Sequence, residues 1–354
     1  VKLRPISNPP NPWLSEHAEW LEPPPPARLE VYEESAGSIL SHNDSPDIPF
    51  QWSVNPYRGC QHACAYCYAR PYHEYLGFGA GTDFDTKLVV KRNAPELLRK
   101  ALARPRWQRE TVYFCGITDA YQPLEASYRV TRGCLEVCAE LANPAVVVTR
   151  GFLVVRDADL LAELNRRAGA RVCISIPFAD PHTAALIEPF APPPARRLEA
   201  VRRLRDANVP VGVLVSPVIP GLNDRDIPGI LERAADAGAQ WADYSAIRLP
   251  GSVEAVFLER LREALPLRAD RIIARIRDMR GGRLSDSRFS RRMTGDGHYW
   301  RSIEQLVSVS KRRFGLDWVG YSNPTSARAY HGPHRGESAG HRSRQLGFEF
   351  DLDD

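Results

Sequence analysis

The chain has 354 residues, 43% of them hydrophobic and 25% charged, and 47 basic against 43 acidic side chains give a formal net charge of +4. This is enough apolar material for one large domain or two ordinary ones, and the charge is too mild to argue for nucleic acid by itself. No apolar run reaches the length of a membrane span, and Val1-Lys2-Leu3-Arg4-Pro5 lacks the apolar core of a signal peptide, so a reducing cytoplasmic setting is expected.

Residues 1–48 read as an extended N-terminal arm. Pro23-Pro24-Pro25-Pro26 continues neither a helix nor a central strand, and Trp13, Trp20 and Tyr32 give the arm apolar groups to lay against the core. Asn43-Asp44-Ser45-Pro46 is a turn signal. From 49 to 250 a short β-branched run, a loop and an amphipathic helix alternate. Strands are expected at 52–54, 111–114, 145–149, 171–176, 211–215 and 241–247, with helices at 157–168, 194–207 and 226–238. Near-continuous apolar strands alternating with helices imply a parallel sheet with right-handed crossovers. An eight-fold barrel takes about 250 residues, so the α/β fold expected here is a partial (β/α)6 TIM-like barrel. A flat doubly wound sheet is the alternative, but no Gly-x-Gly-x-x-Gly favours it. Residues 251–316 form a helical extension, with helices near 253–264, 267–279 and 298–314 and arginines at 271, 275, 277, 280, 283, 288, 291 and 292. Residues 317–354, rich in Gly, Ser, His and Arg, read as a flexible tail.

Three of the seven cysteines fall within eight residues: Gly59-Cys60-Gln61-His62-Ala63-Cys64-Ala65-Tyr66-Cys67. Closely spaced cysteines of this kind hold iron–sulfur clusters, and three local thiolates would leave one iron of a four-iron cluster open. A structural zinc site with His62 or a distant fourth ligand competes, although the three-then-two spacing departs from the usual zinc pairs. A thioredoxin-type pair would use Cys64 and Cys67 but leave Cys60 unexplained. Cys134 and Cys138, one helical turn apart, and Cys173 read as core residues.

The Cys-x-x-x-Cys-x-x-Cys motif, with Tyr66 before its last cysteine and six β/α units following, resembles the radical S-adenosylmethionine (SAM) superfamily. Asn55-Pro56-Tyr57-Arg58-Gly59-Cys60, Tyr66-Cys67-Tyr68-Ala69-Arg70, Thr118-Asp119-Ala120-Tyr121-Gln122-Pro123-Leu124-Glu125, Pro217-Val218-Ile219-Pro220-Gly221-Leu222-Asn223-Asp224 and Asp286-Ser287-Arg288-Phe289 narrow the resemblance. They are similar to the spore photoproduct lyase-like branch, whose bacterial members are often labelled DNA repair photolyases. The resemblance spans residues 36–316.

It implies that Cys60, Cys64 and Cys67 bind three irons of a [4Fe-4S] cluster and that S-adenosyl-L-methionine chelates the fourth. Reductive cleavage would then give methionine and a 5′-deoxyadenosyl radical that abstracts hydrogen from substrate, the electron coming from an external donor of flavodoxin or ferredoxin type. Tyr66 would lie near the adenine, and Thr118 and Asp119 near the methionyl amino group. Glu125 belongs to that stretch or is a first-turn helix residue. Ser175 would contact ribose or carboxylate, although Ser175-Ile176-Pro177-Phe178-Ala179-Asp180 departs from the commoner Thr-Thr-Leu-Asp-like stretch. Arg197 would pair with the carboxylate, with Arg196, Arg202 and Arg203 on a solvated face, and residues 218–223 would face the adenine. Cys115 lies near the position of the lyase's hydrogen-donating cysteine but one residue early relative to Asp119, a shift that reverses the face of a strand.

The substrate expected from this branch is a nucleic acid lesion, with the arginines of 271–292 meeting phosphates. Gln345-Leu346-Gly347-Phe348-Glu349-Phe350 resembles a peptide that docks on the sliding clamp. The alternatives are radical modification of a peptide, an RNA or a small molecule, and a non-catalytic metal-binding module.

Overall fold

A computed structural model of the chain describes residues 8–14, 28–48, 50–114 and 116–317. Its strands are β1 (Glu30–Glu34), β2 (Leu40–His42), β3 (Trp52–Val54), β4 (Tyr57–Arg58), β5 (Lys87–Lys91), β6 (Val112–Phe114), β7 (Ala145–Thr149), β8 (Ala170–Ser175), β9 (Val211–Val218) and β10 (Ala242–Ala246). The main sheet runs β10-β9-β8-β7-β6-β3-β2. All its pairings are parallel except β2 with β3. The six parallel strands follow one another in chain order, so the chain winds in one direction. A doubly wound sheet would reverse its order partway. Among the described residues no pairing returns from β10 to β2 or β3, and the barrel is open.

The β-branched runs become strands because their alternate residues bury in the main core. Val112, Val147, Val172, Ile174, Val211 and Val213 are fully buried there. Helices Ala158–Arg167, Pro194–Asp206 and Ile227–Asp236 cover the outer face, turning Leu161, Leu164, Leu204 and Ile230 inward. Helices Val253–Ala264, Ala269–Met279 and Gly297–Arg313 form the extension. Among the described residues no helix is long and apolar enough to cross a membrane.

The N-terminal arm does more than extend. Its β1 joins β5 and β4 in a second, three-stranded sheet, and its β2 pairs with β3. Trp13 meets Tyr75 and Tyr32 meets Phe78, with ring centroids 5.2 and 5.3 Å apart. Trp20, the Pro23–Pro26 run and residues 318–354, which include the clamp-like peptide, lie outside the described residues. The small sheet is the main element that the hydrophobic rhythm did not disclose. Its strands are short, and β4 has only two residues.

Gly212, within β9, lets the Trp241 ring lie on the strand. A Cβ there would stand 2.2 Å from Trp241 Cε2 and 2.3 Å from its Nε1. Replacing Gly212 with Val is expected to lower stability by about 1–3 kcal/mol through overpacking. Urea denaturation checks this as a fall in midpoint at unchanged slope.

Candidate active site

The cysteine loop leaves β4 at the end of the first parallel unit. Gly59 has φ +73°, and a Cβ there would lie 2.9 Å from the Phe84 carbonyl oxygen. That same carbonyl accepts the Cys60 N–H at 2.9 Å, so the backbone passes where only glycine fits. Beneath the loop, buried Arg70 donates to the carbonyls of Cys64 (2.8 Å), Ala80 (2.8 Å) and Gly81 (2.9 Å) and to Asp85 (2.9 Å). Arg260, from the helical extension, donates to the Ala63 carbonyl and to Asp85. Asp85 therefore joins two guanidiniums that hold the loop's own carbonyls.

Loops after the next strands close on this one. Thr118 Oγ1 donates to the Gly59 carbonyl at 2.7 Å, and Gln122 Nε2 donates to the same oxygen at 3.2 Å while its Oε1 accepts the Gln61 N–H at 3.0 Å. Asp119 accepts the N–H groups of Tyr121 and Arg150, both at 2.9 Å, and the Thr149 hydroxyl, and it lies 3.4 Å from His62 Nδ1. Burial pushes the Asp119 carboxyl up, but His62 and these donors outweigh it and hold the group well below the usual carboxylate range. With His62 from the cysteine loop, Thr149 at the end of β7 and Arg150 in the loop after it, one carboxylate ties three loops.

Arg150 is the feature that the sequence reading missed. Its guanidinium donates to the Cys64 sulfur, to Tyr66 Oη at 3.0 Å and to Glu188 at 2.9 Å. The Tyr66 hydroxyl also donates to Glu188. Arg197 meets the same carboxylate, and its other nitrogens donate to the carbonyls of Pro192 (2.6 Å) and Ser175 (3.0 Å). Arg197 is buried with its guanidinium on Glu188 and these two carbonyls, and Arg150 is the guanidinium beside a thiol. Ser175 donates its hydroxyl to the Ser216 carbonyl at 3.1 Å. Asn223 ties the loop after β9 inward, donating to the carbonyls of Pro177 (2.7 Å) and Pro217 (2.9 Å).

Glu125 is a first-turn residue, of the short helix Glu125–Tyr128. Fully buried, it accepts the N–H groups of Thr131 (2.9 Å) and Arg132 (3.2 Å) at the start of helix Val130–Glu140, together with Tyr57 and Arg156. Cys134 and Cys138 are buried on that helix in the main core. Cys115 lies outside the described residues. The arginine-rich segment is largely spent on the protein itself. Arg280 donates to the carbonyls of Ile247 (2.9 Å), Arg291 (2.6 Å) and Arg292 (3.0 Å), while Arg288 pairs with Asp286, Arg291 with Asp296 and Arg292 with Asp47.

Cys60, Cys64 and Cys67 are all free thiols. In the bare protein, burial pushes each of them up, Cys64 to about 12 despite Arg150 beside it. A redox pair needs an accessible, easily ionised thiol, so the thioredoxin-type reading does not fit. Among the described residues no three His, Cys, Asp or Glu side chains converge tightly enough to hold one metal ion. A cluster takes one thiolate per iron and needs no such convergence. The surroundings suit one: Phe84, Ala69 and Ile117 pack against Cys60 and Cys67.

The Radical SAM superfamily model matches residues 54–234. An uncharacterized protein of Mycobacterium tuberculosis is 38% identical over 234 residues, 66% of this chain and 68% of its own length. One of Methanocaldococcus jannaschii is 30% identical over 56% of this chain and 71% of its own. A radical SAM Nα-GlyT isomerase of Pseudomonas phage M6 is 26% identical over 59% and 42%. Among solved structures, a cysteine-to-serine variant of spore photoproduct lyase aligns with a TM-score of 0.54 at 15% identity, covering 81% of this chain and 79% of that one. Another variant, with bound AdoMet and dinucleoside spore photoproduct, aligns at 0.52 and 16%, covering 81% and 78%.

Among the described residues, Glu188 is the carboxylate that pairs with both Arg150 and Arg197. Replacing Glu188 with Gln leaves the buried Arg197 and the partly buried Arg150 without their shared carboxylate, and a loss of about 3 kcal/mol is expected. The urea midpoint of the purified variant measures it.

Proposed function

Because this chain belongs to the radical SAM superfamily, we propose that Cys60, Cys64 and Cys67 hold three irons of a [4Fe-4S] cluster and that the substrate is a lesion-bearing nucleic acid. The observation that carries the first part is the set of three free thiols on the loop after the first of six parallel strands, with the Arg150 guanidinium against one sulfur. When bound, the cluster and S-adenosylmethionine supply the reductive sulfonium cleavage that starts hydrogen abstraction.

The chain's own residues hold and shape that site. Arg70 and Arg260 fix the backbone of the cysteine loop from below. Thr118 and Gln122 set its height against the loop after β6. Arg150 brings positive charge and a hydrogen-bond donor to a ligand sulfur, and hydrogen bonds of this type tune cluster potentials. Arg197 serves Arg150 at one remove by fixing Glu188, and Ser175 is braced by Arg197 through its carbonyl. Thr118 and Asp119 border the space for the methionyl amino group, and Tyr66 stands on the adenine side. An external electron donor of flavodoxin or ferredoxin type completes the system. The substrate class is supported by the shared architecture with spore photoproduct lyase, one of whose structures carries AdoMet and a dinucleoside photoproduct.

Anaerobic reconstitution with iron and sulfide is expected to give a brown protein that forms 5′-deoxyadenosine from S-adenosylmethionine and dithionite. Cys64→Ala should lose bound iron, sulfide and 5′-deoxyadenosine together; a variant that keeps all three would sink the assignment. Arg150→Met should still bind iron but show a more negative midpoint potential in an EPR-monitored titration, because the ligand sulfur loses a donor and a nearby positive charge.

A further inference from the structure

Among the described residues, Arg225, Arg268 and Arg271 form an arginine cluster with no ion pair. It lines a cleft of about 430 Å³ between the loop after β9 and the helical extension. Arg225 comes from the loop, Arg268 from the approach to helix Ala269–Met279 and Arg271 from its first turn. The only carboxylate in the lining is Asp224, which already accepts the Tyr299 hydroxyl. Arg268 donates one nitrogen to the Gly221 carbonyl at 3.4 Å, and Arg225 and Arg271 are exposed. The cleft is therefore positively charged on balance.

We infer that this cleft binds the sugar–phosphate backbone of a nucleic acid strand. The inference rests on the substrate class proposed above and adds the place where that substrate is gripped. Guanidinium forks match phosphate oxygens two at a time, and the lining is too polar for a site shaped to an apolar small molecule. The rim also carries groups suited to bases. Leu267 is 99% exposed, and the Tyr299 ring is stacked by the Arg275 guanidinium 4.3 Å from its centroid. A basic groove edged with such planar and apolar surfaces is how strands are held without sequence readout.

Its position in the fold points the same way. Gly221, Asp224 and Arg225 belong to the stretch matched by the superfamily model, whereas Leu267, Arg268, Arg271 and Tyr299 lie beyond residue 234 in the extension. The cleft thus forms where the stretch matched by the superfamily model meets the helical extension. Its barrel wall is the loop at the C-terminal end of β9, and the cysteine loop sits at the same end of the sheet, where barrels of this class carry their sites.

The test uses the full-length reconstituted protein and a fluorescein-labelled single-stranded DNA oligonucleotide, followed by anisotropy between about 50 and 200 mM salt. The double variant Arg225→Gln with Arg271→Gln should bind at least tenfold more weakly at the low-salt end. Its log–log salt slope should be shallower by about 1 to 1.5, the loss of two phosphate contacts on a single strand. A control pair, Arg166→Gln with Arg167→Gln on an outer barrel helix, should bind like wild type. Wild-type affinity in the cleft variant, or an equal loss in the control pair, overturns the cleft. So does displacement of the DNA by poly-glutamate at equal charge as effectively as by unlabelled DNA, which assigns the cleft to acidic peptides. If the wild-type protein binds no oligonucleotide at low salt, the nucleic-acid reading falls and the cleft with it; wild-type binding that the cleft variant retains removes the cleft alone.

Discussion

The site depends on the Asp119 carboxylate, whose side chain is only 9% exposed. Its two oxygens meet His62 from the cysteine loop, Tyr121 from its own loop, Thr149 at the end of β7 and Arg150 in the loop after it. Loops at the end of an open barrel have no sheet pairing to align them, and a buried carboxylate is stable only when its lone pairs are used. That requirement makes the three loops a single unit. It also fixes the Arg150 backbone, from which the guanidinium reaches the Cys64 sulfur.

A second set of charges holds the cysteine loop from outside the barrel. Asp85 joins Arg70, which grips the loop carbonyl of Cys64, to Arg260, which grips that of Ala63. Arg260 belongs to the extension, so the shared barrel and the added helices meet through the cysteine loop itself. Glu188 forms the third knot, between Arg150 and Arg197. Each is a buried ion pair with further hydrogen bonds, the condition under which burying charge is tolerated. Rigid thiol placement and water exclusion follow from the same arrangement.

Much of the barrel was legible because its strands are β-branched and its helices amphipathic, both local signals. Ala145–Thr149 was read to the residue, and helix Val253–Ala264 likewise. The cysteine spacing was equally local. The small sheet escaped because β1, β4 and β5 come from distant, short segments whose pairing no periodicity encodes. Arg150 escaped for a similar reason: it is 86 residues from Cys64 and 38 from Glu188. Among the arginines, Arg197 looked available because helix position gives charge but not partner. Arg280 looked like a phosphate ligand for the same reason, whereas its nitrogens hold three backbone carbonyls.

The sequence by itself determined the six β/α units, the three-thiol loop and the family, because hydrophobic period and motif spacing are properties of neighbouring residues. Only the tertiary structure decided which charges are paired within the protein and which are left open. A guanidinium's role is set by the carboxylates and carbonyls within about 3 Å of it, and in this fold those partners arrive from other strands, the second sheet and the C-terminal helices. The same composition of arginine thus divides into buried braces at Arg70, Arg197 and Arg280, one donor at the Cys64 sulfur, and an open cleft at Arg225 and Arg271.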